Sequence, residues 1–201
     1  MRLECFCGSI LRLAMIRKLS SILFAGLLLF LGASCSSSGG GAAGVIDKDK
    51  HGMPQYHDHV KVRVVRTTAY HCNECDHKIY GAKSAAGVPL RYGKIRSAAA
   101  DWSRYPLGTK FKIEGLPFTY VVDDYGSALV GTNTIDLYKL SSKEMRWWGV
   151  RKVEIKIIEM GDFDLSEKIL STRRRHAHCR KMHSELQRKL AGDGGRVRNA
   201  G

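Results

Sequence analysis

Residues 118–138 read FTYVVDDYGSALVGTNTIDLY, and this stretch decides the fold. Two runs rich in β-branched and aromatic side chains, Phe118 to Val122 and Thr134 to Tyr138, flank a loop with two glycines. Runs of this length, bounded by turn residues, are typical of β-strands. The first run is followed by Asp124, and the second contains Asp136. The stretch therefore predicts two short strands, each associated with an acid.

The same type of pattern extends in both directions along the chain. Apolar and polar residues alternate in Val60–Val64, Phe111–Ile113 and Val153–Ile157, as they do in half-buried strands. Ser141 to Trp148 predicts a helix, with a serine cap at its start and Gly149 at its end. Several short strands and one short helix within about a hundred residues favour a single all-β barrel domain.

The formal net charge of +14 is unevenly distributed. Between Ser166 and Gly201, ten Lys and Arg residues outnumber three acids, which gives +7, or half of the surplus. Such basicity raises nucleic-acid binding as a function class, but an exported chain, as argued next, does not meet nucleic acid. Residues 162–201 are therefore predicted to form a basic tail. This tail is either a helix that meets anionic lipid or wall polymer, or a solvated disordered segment.

The N-terminal region predicts export. Ile22 to Ala33 is uncharged and apolar and follows Arg17 and Lys18, but it is shorter than the about twenty residues of a spanning helix. A basic, then apolar, then small-residue order is typical of a secretory signal peptide. We therefore expect a signal peptide over residues 1–34, with Met15 as an alternative start.

The residues around Cys35 resemble a bacterial lipobox, which implies lipidation of Cys35. Gly32 stands where that motif most often has leucine, so cleavage for plain secretion stays the alternative. The Ser- and Gly-rich start of residues 35–58 predicts a flexible tether. Ser36, rather than an aspartate, after the cysteine favours the outer membrane. We expect a periplasmic-facing lipoprotein whose folded domain spans residues 59–161.

Three aspartates lie where predicted strands begin or end: Asp101, Asp124 and Asp136. Acids at the strand ends of a small barrel can converge on one cleft, where mutual repulsion keeps one carboxyl protonated near neutral pH. A protonated carboxyl is the group that a glycosidic oxygen needs for its protonation. Aspartates at strand ends also cap turns, so the residues alone leave both interpretations open.

Six segments occur in an order that resembles the 3D domain, which is named for three aspartates. They are Thr67–Tyr70, Ser84–Leu90, Ala100–Asp101 with Pro106–Thr109, Asp124–Gly131, Ile135–Tyr138 and Trp148–Val153. The 3D domain belongs to the rare-lipoprotein-A-like double-psi β-barrels and forms the catalytic part of membrane-bound lytic transglycosylase A. The resemblance implies a six-stranded double-psi β-barrel with one short helix.

The resemblance also implies a function in cell-wall turnover, as a peptidoglycan lytic transglycosylase or as a non-catalytic module that binds the same glycan. Asp136 would be the acid and base that cleaves the bond between N-acetylmuramic acid and N-acetylglucosamine, leaving a 1,6-anhydro product. Asp124 would tune its proton affinity or stabilise positive charge, and Asp101 would hold the cleft. Substrate contacts are implied for Tyr70, Thr109, Tyr125, Gly126 and Gly131. Glycan strands are the implied partner, and no cofactor is implied.

The chain departs from the usual 3D pattern at several places, among them a loop at Thr132–Thr134 that is one residue longer than in many members. Trp102 follows the first aspartate where members usually have proline, Tyr125 replaces threonine, and Val130 replaces a common lysine. Trp102 and Tyr125 are aromatic, so each is either a platform for a sugar ring or a packing residue.

The segment from His71 to His77 contains a Cys-x-x-Cys pair flanked by histidines. In an exported protein a local disulfide between Cys72 and Cys75 is the plainest interpretation. Zinc binding and two free thiols are the alternatives, and no metal site is predicted.

Overall fold

The structure is a computed structural model that describes residues 44–71 and 83–198. The predicted signal segment, the tether before residue 44, Cys35, Cys72 and Cys75 lie outside these residues. The elements follow in this order: β1 (Val45–Lys48), β2 (Pro54–Tyr56), β3 (Val62–His71), β4 (Ile95–Ala99), β5 (Lys110–Ile113), β6 (Thr119–Asp124), a 3-10 helix (Ser127–Leu129), β7 (Thr134–Lys139), α1 (Ser142–Trp148), β8 (Arg151–Glu159), α2 (Phe163–Ser171) and α3 (Ala177–Arg198).

Six of the strands pair in a ring. Their order is β3-β7-β4-β6-β5-β8, and β8 pairs back with β3. The β3–β7 and β4–β6 pairs are parallel, whereas the other four pairs are antiparallel. Strands β1 and β2 form a separate two-stranded sheet. The prediction of a mostly β domain with a six-stranded sheet is confirmed.

Alternating side chains fill the interior of the ring. Phe111 and Ile113 of β5 and Ile155 and Ile157 of β8 are almost completely buried, and the Phe111 ring stacks on Tyr120 at 5.4 Å. Each such side chain stabilises the fold by about 1.5–3 kcal/mol relative to an exposed one. The alternation seen in the sequence therefore does define the inward face of these strands.

Strand β4 differs from the other strands in its composition. Its last three residues are Ser97, Ala98 and Ala99, all of them buried. Serine and alanine have little preference for strands, so no sequence pattern marked this one. Ala98 lies in the same buried cluster as Trp102, which is fully buried.

Helix α1 begins and ends where the sequence predicts. The Ser141 hydroxyl accepts the backbone N–H of Glu144 at 3.2 Å, and Gly149 ends the helix with a φ of 60°. Trp148 is buried and donates its indole N–H to the Thr67 hydroxyl at 3.2 Å, while Trp147 is 73% exposed. The two tryptophans therefore divide between core and surface.

Helices α2 and α3 extend the core beyond the expected boundary at residue 161. Asp162 caps α2 by accepting the Leu165 N–H at 2.8 Å. Four side chains of the two helices are fully buried in the same cluster as the ring interior: Leu170, Cys179, Met182 and Leu186. Residues 163–171 and 177–198 are therefore helical, and these apolar side chains pack inside the protein. Within residues 44–71 and 83–198, no helix has the length and apolar content needed to cross a membrane.

Candidate functional site

Two of the three predicted catalytic acids lie in one row across four neighbouring strands. Thr68 of β3 is the register partner of Asp136 in β7, and Asp136 is the partner of Ala99 in β4. Ala99 is in turn the partner of Asp124 in β6. Strands lie about 4.8 Å apart, so the Asp124 and Asp136 backbones are separated by about 10 Å, across β4.

This row lies on the outer face of the ring. Ile135 and Leu137 are fully buried in the main core, and side chains alternate along a strand, so Asp136 and Tyr138 point to the opposite face. Asp124 reaches the row because the register of β4 against β6 shifts between Ala98 and Ala99. Bulges of this kind re-aim side chains and are frequent next to active sites.

Asp136 is the accessible acid of the row. Its side chain is partly exposed, and its Oδ1 accepts the Thr68 hydroxyl at 2.7 Å. The hydroxyl fixes one carboxylate oxygen in place. An acid held in this way and open to solvent can exchange a proton with a bound ligand.

Asp124 is almost completely buried, and three groups of the described residues donate hydrogen bonds to it. Its Oδ1 accepts the backbone N–H groups of Ala85 and Tyr125, each at 2.9 Å, and its Oδ2 accepts the Tyr70 hydroxyl at 3.4 Å. Donors aimed at a carboxylate favour its charged form. Asp124 is therefore suited to holding a negative charge next to the row rather than to donating a proton.

The Tyr70 side chain lies close to three acids, and their charges raise the pKa of its hydroxyl. Burial raises the pKa of Tyr70 well above its ordinary value, and the charges of Asp124, Asp123 and Asp136 raise it further, in that order. The ring also contacts Tyr138 with a centroid distance of 5.5 Å. Tyr70 was predicted to contact substrate. The structure places it among the acids, but it is only 5% exposed.

Asp123 is an acid of this site that the sequence reasoning missed. Its side chain is buried, and its Oδ2 accepts the Ser97 hydroxyl at 2.7 Å and lies 3.5 Å from the Arg91 guanidinium. Its Oδ1 has no hydrogen-bond partner within the described part of the chain. Burial raises the pKa of Asp123 to about 6, and the charge of Asp124 acts in the same direction. The available signal was the doubled acid at the end of the strand.

Asp101, the third predicted acid, is bound elsewhere. Its Oδ1 accepts the backbone N–H and hydroxyl of Ser103 at 2.9 and 2.7 Å, and its Oδ2 accepts the Gly131 N–H at 2.6 Å. The Arg104 guanidinium lies 3.7 Å from Oδ2. Asp101 is 1% exposed and borders a cavity of about 320 Å³ that Lys181 also lines. Asp101 therefore connects the loop of Ser103 to the loop of Gly131. It is not among the acids that lie around Tyr70, which are Asp123, Asp124 and Asp136.

The other predicted substrate contacts have structural partners. Thr109 is fully buried, and its hydroxyl donates to the Pro106 carbonyl and accepts the Gly161 N–H, so it presents no surface to a ligand. Gly131 has a φ of 79°, a conformation that favours glycine, whereas Gly126 has an ordinary φ of −142°. Tyr125 meets the Trp102 ring edge to face at 4.9 Å.

Tyr125 and Trp102 are packing residues in this structure. Trp102 is fully buried and donates its indole N–H to the Asp124 carbonyl at 2.9 Å. The Tyr125 hydroxyl contacts Arg173 and Cys179 at 3.2 and 3.4 Å. Burial raises the pKa of Tyr125 to about 12, with the contact to Cys179 as the next cause. Both rings therefore connect the site to the C-terminal helices.

A second aromatic side chain extends the outer face towards α1. The Tyr92 ring meets Tyr138 edge to face at 6.2 Å, and its hydroxyl donates to Glu144 of α1 at 3.0 Å. Arg96 lies over the Tyr92 ring at 4.0 Å. Tyrosines and a guanidinium beside a carboxylate row offer both flat apolar surface and hydrogen-bond donors, the mixture that polar ring-shaped ligands require.

Metal binding was not predicted at this site. His71 ends β3 and is buried, whereas the rest of the His71 to His77 segment lies outside the described residues. Among residues 44–71 and 83–198, no group of three His, Cys, Asp or Glu side chains is arranged to hold a metal ion.

A ring of six strands with a row that carries two aspartates on its outer face defines a small barrel-type domain. Residues 96–159 match the family model of the 3D domain. The predicted resemblance is confirmed, and the relationship to rare-lipoprotein-A-like barrels and to membrane-bound lytic transglycosylase A is consistent with it. The 3D domain is linked to peptidoglycan-related domains of the lytic-transglycosylase type.

Comparison with curated proteins finds no match. The family match begins at Arg96, inside β4, and ends with β8. Strand β3, the loop that carries Ala85, and helices α2 and α3 therefore lie outside it. Yet β3 closes the ring, and Ala85 contacts Asp124.

Proposed function

We propose that this protein is a peptidoglycan lytic transglycosylase, in which Asp136 is the acid and base. The observation that carries the proposal is the cross-strand row on the outer face, which holds a partly exposed Asp136 beside a buried, fully bonded Asp124. The family match supports an action on cell-wall glycan.

The reaction uses one carboxyl twice. Protonated Asp136 gives its proton to the glycosidic oxygen between N-acetylmuramic acid and N-acetylglucosamine, and the bond from that oxygen to the muramyl C1 breaks. The resulting carboxylate then takes the proton of the muramyl C6 hydroxyl, whose oxygen bonds to C1 to form the 1,6-anhydro ring. Protons balance and no water is consumed. The Thr68 hydroxyl holds one oxygen of Asp136 during both steps.

Asp124 supplies charge complementarity for the same step. Positive charge develops at the sugar ring as the bond breaks, and a buried carboxylate stabilises it more strongly than one in water does. The N–H groups of Ala85 and Tyr125 keep Asp124 ionised and fixed.

Digestion of purified sacculi tests the proposal, with anhydro-muropeptides measured by mass spectrometry. Wild type should release them, and Asp136→Asn should not, because an amide cannot transfer the proton. Asp164→Asn is a matched control, since Asp164 is an exposed acid of α2. Release by wild type and Asp136→Asn at the same rate would refute the assignment, and no release by wild type would refute the activity.

A non-catalytic glycan-binding module is the second candidate. The observation that favours it is the burial of Tyr70, Asp123 and Asp124, which leaves Asp136 as the exposed acid of the group. A single accessible carboxylate beside Tyr92 suffices for hydrogen bonding to a sugar. Co-sedimentation with sacculi without any product, and weakened by Asp136→Ala, supports this candidate.

We also propose that the barrel has the double-psi topology, which the two parallel strand pairs support. Residues 1–34 would act as a signal peptide, and lipid on Cys35 would anchor the protein in the outer membrane. The barrel would then face peptidoglycan and would not meet nucleic acid. Metabolic labelling with a fatty acid tests the anchor: label should enter wild type and be lost in Cys35→Ser. Label retained in that variant refutes lipidation at Cys35.

A further inference from the structure

The turn after α2, which lies outside the residues that match the 3D domain, contacts the residues next to Asp124. Arg173 follows the helix end at Thr172, and its guanidinium donates to the Ala85 carbonyl at 2.8 Å and to the Tyr125 hydroxyl at 3.2 Å. Ala85 belongs to the loop before β4. Arg173, just after α2, is thus hydrogen-bonded directly to the backbone of the loop whose Ala85 N–H donates to Asp124.

That loop is bonded to both acids of β6. The Ala85 N–H donates to Asp124 Oδ1 at 2.9 Å, and the Ala86 N–H donates to the Asp123 carbonyl at 3.0 Å. The peptide unit between the two alanines is therefore held at both ends, by Arg173 at its carbonyl and by Asp123 at its N–H. Within the loop, the Ser84 N–H donates to the Val88 carbonyl, which closes a tight turn.

We infer that Arg173 is a positioning residue for Asp124, because its bond to the Ala85 carbonyl fixes the Ala85 N–H against that carboxylate. The inference rests on the proposed function of the same site and deepens it. Arg173 is a positioning residue because it contacts the loop, whereas Asp124 faces the ligand. The site is complete only with segments on both sides of residues 96–159.

Loss of the guanidinium has a defined electrostatic consequence. Among the described residues, the Ala85 and Tyr125 N–H groups and the Tyr70 hydroxyl donate to Asp124. Asp123, its neighbour in β6, repels a negative charge on Asp124. The Ala85 N–H is thus one of the donors that favour the charged form of Asp124. If the loop loosens, Asp124 should take up a proton at higher pH.

The experiment compares Arg173→Met, Arg173→Lys and the control Arg174→Met in the full chain. Arg174 is the exposed neighbour of Arg173. Anhydro-muropeptide release is followed from about pH 4.5 to about pH 8, and the Asp124 carboxyl carbon is titrated by NMR. Arg173→Met should lower release about tenfold, as loss of a charge-supporting hydrogen bond does, and move the acidic limb and the Asp124 titration upward. Arg173→Lys keeps a hydrogen-bond donor, so its product release and its Asp124 titration should lie between those of Arg173→Met and wild type. Arg174→Met should match wild type in both measurements.

Two results overturn the inference. One is an Asp124 titration in Arg173→Met that coincides with wild type. The other is a loss of product release that is equal in Arg173→Met and Arg173→Lys and is accounted for by lower thermal stability. That result would show that the contact of Arg173 is purely structural. Wild type that releases no product refutes the proposed function alone, because the titration still tests whether Arg173 positions Asp124.

Discussion

The buried carboxyl of Asp123 makes the stability of this protein depend on pH, and Asp123→Asn isolates that dependence. The pKa of Asp123 lies at about 6 instead of 3.8, chiefly because of burial. One pKa unit corresponds to about 1.4 kcal/mol, so keeping this group charged in the folded state costs about 3 kcal/mol at neutral pH. Asparagine has the same shape and never ionises.

The sign follows from proton binding. The folded chain holds the Asp123 proton up to about pH 6, whereas the unfolded chain releases it near the ordinary value of 3.8. The folded state therefore binds more protons between these values, and its stability falls as the pH rises through this window. The contribution is favourable below the window and fully lost above it.

Urea unfolding of wild type and Asp123→Asn at about pH 4 and about pH 7.5 measures the effect. The stability of the variant relative to wild type should rise by about 2.5 kcal/mol between the two conditions, because part of the effect is already present at pH 4. The altered contact to Ser97 adds only a constant offset. Asp47→Asn, at an exposed acid of β1, is the control and should show no such rise. A difference between variant and wild type that stays constant with pH refutes the reasoning.

Three further outcomes are expected. Thr68→Val should lower anhydro-muropeptide release about tenfold with an unchanged melting temperature, since it removes only the hydroxyl that holds Asp136, the proposed acid; unchanged release contradicts this role. Leu186→Ala should destabilise the fold by about 2–5 kcal/mol in urea unfolding, whereas Leu165→Ala, at a 43% exposed site, should cost far less; equal losses would contradict the packing. Gly131→Ala should cost about 1–2 kcal/mol because of its φ of 79°, and Gly126→Ala should be nearly neutral by the same measurement.

Much of the ring could be predicted because its strands alternate. Ile155 and Ile157 point inward as their spacing in the sequence indicates, and α1 begins at its serine cap. These features are local, so a few neighbouring residues determine them. Strand β4 could not be predicted in this way, because Ala98 and Ala99 form a strand through their neighbours rather than their own preferences.

The site could be predicted only in part. The row that joins Asp124 to Asp136 depends on the strand register and on the bulge between Ala98 and Ala99. The order of the motifs in the sequence does not fix either of them. The place of Asp123 depends on burial against Ser97, and the place of Asp101 depends on a loop contact to Gly131. Such distant pairings have no signature in the spacing of residues.

The C-terminal helices were underestimated for a different reason. Cys179, Met182 and Leu186 are spaced by three and four residues, which is the stripe of an amphipathic helix. The many Lys and Arg residues around them favour a charged tail on composition alone. The apolar stripe was the informative signal, since the structure buries all three side chains.

Closure of the ring has a consequence for how the chain acquires its shape. Val62 of β3 pairs with Lys156 of β8, a separation of 94 residues (156 minus 62). Such distant partners make assembly slow, because the intervening loop must lose its freedom before any contact compensates. During synthesis, which runs from the N-terminus, the ring cannot close until β8 has been made, so ring closure is a late step of folding.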